Sequence, residues 1–260
     1  MLEDEMITNI GDVEAFMNDF IENKVGGHRV DEDVDKNVSF KNADYRVDYL
    51  DQVIELKCLE KNQFEDKTFL DKVSDYHRPY LNELASKNVN EANSKDIARE
   101  VLTRFTRDME KAFYPRIKKI IGKASKQIKE TKFNLDIGEF SGVVWIVNDN
   151  NIYLTIENQV EIVGRILASE SYSAVDAVVL SNLNMQITQS ADGVPNLYWV
   201  PLFRAGISER TWQTVHYLGH CWQEYVREQF KVSDDLRTVN GVGNIELLKG
   251  FSNIKYTKAS

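Results

Sequence analysis

Carboxylates and a lysine recur at alternate positions within one short stretch of the sequence, residues 42–59. Two runs of alternating polar and apolar residues surround a polar turn at residues 49–52, which predicts a β-hairpin with Asp48 opposite Val53. Side chains alternate between the two faces of a strand, so every second residue shares a face. The charged face would carry Asp44, Arg46, Asp48, Glu55 and Lys57, and the apolar face Tyr45, Val47, Ile54, Leu56 and Cys58.

Acidic groups crowded on one face stay ionised only where cations neutralise them, which favours a hard, oxygen-seeking ion such as Mg²⁺. A lysine beside such an ion can lower the pKa of metal-bound water or stabilise charge on a phosphate oxygen. The alternative is a solvated hairpin face, in which Arg46 pairs with Glu55 and Asp44 pairs with Lys57. The residue types alone leave both interpretations open.

An aspartate followed after a gap by Glu-x-Lys on a strand resembles the PD-(D/E)xK superfamily of restriction-endonuclease-like nucleases. Here the lysine-containing part is Glu55-Leu56-Lys57, and alanine replaces the usual proline before Asp44. The resemblance implies an Mg²⁺ or Mn²⁺ ion bound by Asp44, Glu55 and the backbone carbonyl of Leu56. It also implies that Lys57 assists the attacking water. It also selects Asp44 over Asp48 as the metal aspartate, although both share the predicted face.

Two further residues join the predicted site through this resemblance. Residues 10–24 form an amphipathic helix by their spacing, with Glu14 at the edge of the apolar stripe. In the resembled superfamily, a first-helix acid sometimes joins the metal site. A second helix is predicted over residues 95–132, with a break near Pro115. Gln127 falls within its apolar stripe, where it is either satisfied by backbone groups or, as the resemblance implies, faces the active site and positions water or phosphate.

The distribution of charge bears on the partner. A net charge of −9 argues against a protein that coats nucleic acid indiscriminately. Residues 111–132 nevertheless contain eight lysines and arginines and a single acid, Glu130. Such a basic stripe can contact a phosphate backbone locally, which makes DNA the predicted partner through residues such as Lys123 and Lys126. The alternative is an ordinary solvated helix face.

The remaining elements predict an α/β fold. A short strand at residues 38–40 and the hairpin would form a three-strand meander. Two buried strands at residues 142–147 and 175–180 flank a helix at residues 155–168, which predicts a parallel crossover unit. Helix, meander, helices and central strand is the order expected of a restriction-endonuclease-like core, with a mixed β-sheet flanked by helices.

We therefore predict a nuclease-like core over residues 10–180 and a C-terminal strand and helix, within residues 181–260, packed on it. The predicted function is Mg²⁺-dependent hydrolysis of phosphodiester bonds in DNA, in defence, repair or restriction. The alternative is a catalytically silent nuclease-like fold that binds nucleic acid or protein, with a homodimer or partner interface on the aromatic C-terminal helix at residues 208–230.

Two other features of the sequence have simple interpretations. No apolar run approaches the roughly 18 residues of a membrane span, and the acidic start is unlike a signal peptide, so we expect a cytoplasmic protein with no membrane contact. His216, His220 and Glu224 have a spacing that zinc could use on one helix. Because they lack a second group of ligands, packed or surface histidines are the preferred interpretation.

Overall fold

The structure, a computed structural model, describes residues 10–33, 41–60, 71, 74–75, 78–80, 82–83, 86, 94–149, 154–183, 198–230, 239–240 and 254–255. In this part of the chain, helices cover both faces of one mixed β-sheet, as the sequence predicts for an α/β fold. The strand predicted at residues 38–40 lies outside the described residues.

Six strands follow one another across the sheet in chain order. They are β1 (His28–Arg29), β2 (Tyr45–Val47), β3 (Gln52–Glu60), β4 (Ser141–Asp149), β5 (Ala177–Leu183) and β6 (Tyr198–Arg204). The pairs β1–β2, β2–β3 and β5–β6 are antiparallel, whereas β3–β4 and β4–β5 are parallel. The short strands β7 (Val239–Asn240) and β8 (Ile254–Lys255) both pair with β6. Strands β1 to β3 thus form a meander, which begins at His28.

Five α-helices have both of their ends within the described residues. They are α1 (Val13–Asp19), continued as a π-helix over Phe20–Val25, α2 (Val30–Asp33), α3 (Ser94–Asn134), α4 (Ile156–Leu167) and α5 (Glu209–Phe230). The predicted break near Pro115 is wrong, because α3 is continuous through this residue. Phe113 and Ile117, on either side of the proline, are both buried. Their packing holds the helix together where the proline removes a backbone hydrogen bond.

An aromatic cluster lies between the sheet and the helices α1 and α5. The ring of Trp145 on β4 is 5.5 Å from that of Phe20 and 5.0 Å from that of Trp222, both edge-to-face. Trp222 and Val226 are buried inside the chain, so β6 and α5 share one core with the elements before them. A partner that met α5 would contact its outward side, where Tyr217 is half exposed.

The opposite face of the sheet is covered by α3 and α4. The apolar stripe predicted on α3 is confirmed, since Ile121, Ala124 and Ile128 are buried there. The predicted crossover is also confirmed, because α4 connects the parallel strands β4 and β5. Thr155 caps α4 as its pattern predicts, by accepting a hydrogen bond from the backbone of Asn158 at 3.4 Å. Within the described ranges, every helix is too short or too polar to cross a membrane.

Candidate active site

The β2–β3 hairpin forms as predicted but in a different register. Arg46 lies opposite Val53, where the sequence pattern had placed Asp48. The turn begins one residue earlier than predicted, with a 3₁₀ turn at Asp48–Leu50 followed by Asp51 at a φ of 50°. Aspartate tolerates this left-handed conformation better than most residues do. The register shifts by two residues, so the predicted division of side chains between the two faces is preserved.

The charged face of the hairpin is not a solvated surface. Glu55 is fully buried, because α3 packs over this face of β3. The predicted cross-strand ion pairs are not the ones that form, because the register places Arg46 opposite Val53. Arg46 instead binds Asp48 through two contacts of 2.5 and 3.0 Å, and Lys57 forms an ion pair with Glu55. Asp48 is about half exposed in the turn, so Asp44 is the aspartate that accompanies Glu55.

The backbone links the two parts of the motif. The amide of Leu56 donates to Asp44 Oδ2 at 2.7 Å, and the backbone of Asp44 lies close enough to Glu55 to lower the pKa of that carboxyl group. The β2 ladder ends at the pair Tyr45–Ile54, so it leaves Leu56 unpaired on that side. The N–H and C=O groups of one strand residue point to the same side. The Leu56 carbonyl therefore faces the same side as Asp44, as a metal ligand there would require.

The electrostatics of the site are dominated by burial. Burial, followed by the charge of Asp44, raises the pKa of Glu55 to about 8, and the hydrogen bond from Lys57 opposes this only in part. Burial likewise raises the pKa of Asp44, which Lys57 and Arg29 lower and Glu14 raises. Glu55 Oε2 is buried with no hydrogen-bond partner in the described part of the chain. An unsatisfied buried oxygen is unfavourable, and a cation bound at this point would satisfy it.

Helix α3 holds the segment that leads into Asp44. Gln127 Nε2 donates to the carbonyl of Asn42 at 3.0 Å, and Thr131 Oγ1 accepts from the amide of Ala43 at 2.7 Å. Gln127 therefore lies next to the site but bonds backbone, which was the alternative left open by its position. The sequence did not predict Thr131 as a site residue, because its position places it within the apolar stripe of α3. A hydroxyl group on a buried helix face needs a hydrogen-bond partner, and this could have indicated its role.

The other predicted residues lie around this centre. Glu14 is exposed in the first turn of α1, near enough to Asp44 to influence its pKa. Lys123 and Lys126 are exposed on the outer side of α3. Arg29 was not predicted at all, although its charge also influences Asp44. No motif marks it, because β1 is too short to show a strand pattern.

The zinc spacing predicted on the C-terminal helix does not form a ligand cluster among the described residues. His216 packs on Trp212 at 4.3 Å between ring centres, and His220 contacts Glu224 at 3.2 Å. Across the described ranges, no group of three or more His, Cys, Asp or Glu side chains is placed to hold a metal ion. The hairpin set offers two carboxylates and a carbonyl. This is compatible with Mg²⁺, which keeps several waters and commonly uses one or two carboxylates.

Comparison with known proteins supplies no relative from which a function could be transferred. The chain matches no model of a known protein family, no curated protein sequence and no solved structure. A function therefore has to be inferred from the residues themselves, from their burial and from the hydrogen bonds that connect them.

Proposed function

We propose that this chain is a metal-dependent nuclease of the PD-(D/E)xK type that hydrolyses phosphodiester bonds in DNA with Mg²⁺ or Mn²⁺. The observation that carries the proposal is the environment of Glu55. Its carboxylate is fully buried beside Asp44, and one of its oxygens has no hydrogen-bond partner within the described residues. Leaving such an atom unsatisfied costs about 1–3 kcal/mol or more. A bound divalent cation would remove this penalty and would offset the repulsion between the two carboxylates.

The order of elements supports the same proposal. Helix α1 precedes the meander β1–β3, helix α3 follows it, and β4 is a central strand buried on both faces. This is the order expected of a restriction-endonuclease-like core. The placement of the motif residues supports the proposal as well, because Asp44 directly precedes β2 and Glu55 lies in β3.

Each residue has a role that follows from its position. Asp44, Glu55 and the Leu56 carbonyl would hold the cation, which when bound supplies a water of lowered pKa and neutralises charge on the phosphate. The ammonium group of Lys57 contacts Glu55, and its side chain is about a quarter exposed. The same group can therefore also donate to a phosphate oxygen or to the attacking water. Gln127 acts through the backbone before Asp44, which makes it a positioning residue.

The DNA backbone would be bound by α3. Lys123 and Lys126 are exposed, and the helix that carries them also holds the segment before Asp44. Contacts between lysines and phosphates orient the substrate without reading its sequence. Their contribution is expected to weaken with salt, because binding releases counterions from the nucleic acid.

Cleavage of supercoiled plasmid and of single-stranded DNA tests the proposal. The wild-type protein should cut with Mg²⁺ or Mn²⁺, and Glu55→Gln and Lys57→Met should both abolish cutting. Asp48→Asn is the matched control, since it removes a carboxylate from the same hairpin outside the site and should cut like wild type. Equal cutting by all four proteins would identify a contaminating nuclease. A wild-type protein that binds Mn²⁺ but cuts neither DNA would support the alternative below.

The alternative function is a catalytically silent nuclease-like fold that binds nucleic acid or protein. It is favoured by the hydrogen bond from Leu56 to Asp44 and the ion pair of Lys57 with Glu55, which partly satisfy both carboxylates without a metal. The net charge of −9 also favours it. DNA binding without cleavage would identify a nucleic-acid module. Self-association that is lost in Tyr217→Ala would instead place the interface on the outer side of α5.

A further inference from the structure

Phe133 is the most exposed large hydrophobic residue in the described part of the chain. Its exposed fraction is 84%, compared with 50% for Tyr49 and 48% for Tyr217. It lies in the last turns of α3, away from the buried stripe that packs on the sheet. Burying a phenylalanine side chain is worth about 1.5–3 kcal/mol relative to exposing it. Because isolated exposed hydrophobics are common on proteins, the surroundings of Phe133 decide whether its exposure has a function.

Phe133 lies among lysines on one side of α3. At about 100° and 1.5 Å per residue, Lys126 is turned only about 20° from Phe133 and lies about 10 Å away along the axis. Lys129 lies between them along the axis and about 40° to the other side of Phe133. Both lysines are exposed, and the side chain of Lys126 is 77% exposed. The nearby acid Glu130 is 3.5 Å from Lys126 and also accepts from the backbone of Lys41. The face therefore combines positive charge with one aromatic ring.

We propose that this face, formed by Lys126, Lys129 and Phe133, binds single-stranded DNA. The lysines would contact phosphates, and the ring of Phe133 would stack on an unpaired base. The inference rests on the proposed nuclease function and specifies its substrate. Bases within a duplex are already stacked on both sides, so the ring of Phe133 can stack only on a base that is unpaired and exposed. A phenylalanine has no hydrogen-bonding group, and stacking on it tolerates any base.

The position of the face relative to the candidate site fits this role. Glu130 lies about 60° from Phe133 around the helix and accepts a hydrogen bond from the backbone of Lys41. Lys41 begins the segment that leads to Asp44, and Thr131, on the buried side of α3, holds that segment at Ala43. A strand bound to the face of Lys126, Lys129 and Phe133 would therefore pass the start of the segment that enters the site.

Fluorescence anisotropy of a labelled oligothymidylate, at low salt and with EDTA, tests the inference without cleavage. Phe133→Ala should weaken binding by roughly five- to 150-fold, the range expected for the loss of one base–aromatic stack. Phe133→Trp should retain binding, because it keeps an aromatic face. Tyr217→Ala, which removes an exposed aromatic ring from α5, is the matched control and should bind like wild type. Replacing Lys126 and Lys129 by glutamine should reduce the salt slope by about 1.4.

Several results would overturn the inference. Wild-type affinity in Phe133→Ala would show that the ring does not stack on a base, and a change in oligomeric state in that variant would assign the face to a second copy of the chain. A preference for duplex DNA would show that the face binds duplex DNA, and a preference for oligouridylate over oligothymidylate would show that it binds RNA. Either result would rule out single-stranded DNA as the ligand. Absence of oligothymidylate binding by the wild type would also overturn it. The nuclease proposal would still be decided separately, by cleavage with the Glu55 and Lys57 variants.

Discussion

Replacing Gly142 with alanine should destabilise the chain through the contact between α3 and the sheet. Gly142 lies near the start of β4, where an added Cβ would be 2.8 Å from Ile128 Cγ2 and 3.1 Å from the carbonyl carbon of Ala174, and closer still to that carbonyl's oxygen. The backbone cannot move away easily. Gly142 donates to Asp176 Oδ2 at 2.8 Å and accepts from the amide of Asp176 at 2.7 Å. The clash must therefore be relieved by moving Ile128 and the loop at Ala174.

The loss of stability in Gly142→Ala depends on how easily the atoms that the new Cβ meets can move. Overpacking a core typically costs about 1–3 kcal/mol, and a fixed carbonyl group places this substitution near the upper end. A loss of about 3 kcal/mol lowers the melting temperature by roughly 6–12 °C in a chain of this size. Gly138→Ala is the control, because a Cβ there meets nothing within 4 Å. That substitution should be neutral or stabilise by up to about 1 kcal/mol.

Thermal unfolding followed by circular dichroism measures both variants. Gly142→Ala should also bind Mn²⁺ more weakly, since Ile128 is adjacent to Gln127 and a shift of α3 would disturb the segment before Asp44. A melting temperature for Gly142→Ala within about 2 °C of that of Gly138→Ala, less than the change expected for 1 kcal/mol, would refute the close packing of α3 on β4.

Three further predictions concern the opposite side of the sheet. Ser181→Ala removes the acceptor that lies 2.8 Å from Trp145 Nε1, and should lower the urea midpoint through a loss of about 1–3 kcal/mol; an unchanged midpoint would contradict that bond. Gly219→Ala would place a Cβ 2.8 Å from Trp199 Cδ1, so it should shift tryptophan emission, and an unchanged spectrum would count against this packing. Burial lowers the pKa of His216. The unfolded chain is then protonated first, so stability should fall as the pH drops below about 6.5, and less so in His216→Gln; identical pH profiles would exclude this cause.

Local patterns were sufficient to predict much of the fold. The alternation around Glu55 predicts the hairpin, and the spacing of Phe113 and Ile128 predicts the buried side of α3. Thr155 marks the start of α4 through its capping side chain. These features depend on neighbours in the sequence, and hydrophobic periodicity and capping chemistry report on such neighbours directly.

The remaining features depend on tertiary contacts. Pro115 reads as a break in a helix, but packing on both sides of it keeps α3 intact. The hairpin pattern fits two registers. The register that forms has Asp51 in the left-handed conformation. Above all, alternation cannot tell whether a polar face is solvated or covered. The burial of Glu55 under α3, on which the candidate site depends, is visible only in the structure.

The metal site at Asp44 and Glu55 can be tested by the effect of Mn²⁺ on the melting temperature of the wild-type protein and of Glu55→Gln. An ion that binds only the folded chain stabilises it by about 2.7 kcal/mol at 100 times its dissociation constant, which corresponds to a rise of roughly 5–11 °C. We predict this rise for the wild type and for Asp48→Asn, and none for Glu55→Gln. Equal stabilisation of Glu55→Gln, or no stabilisation of the wild type, would contradict a metal site at Asp44 and Glu55.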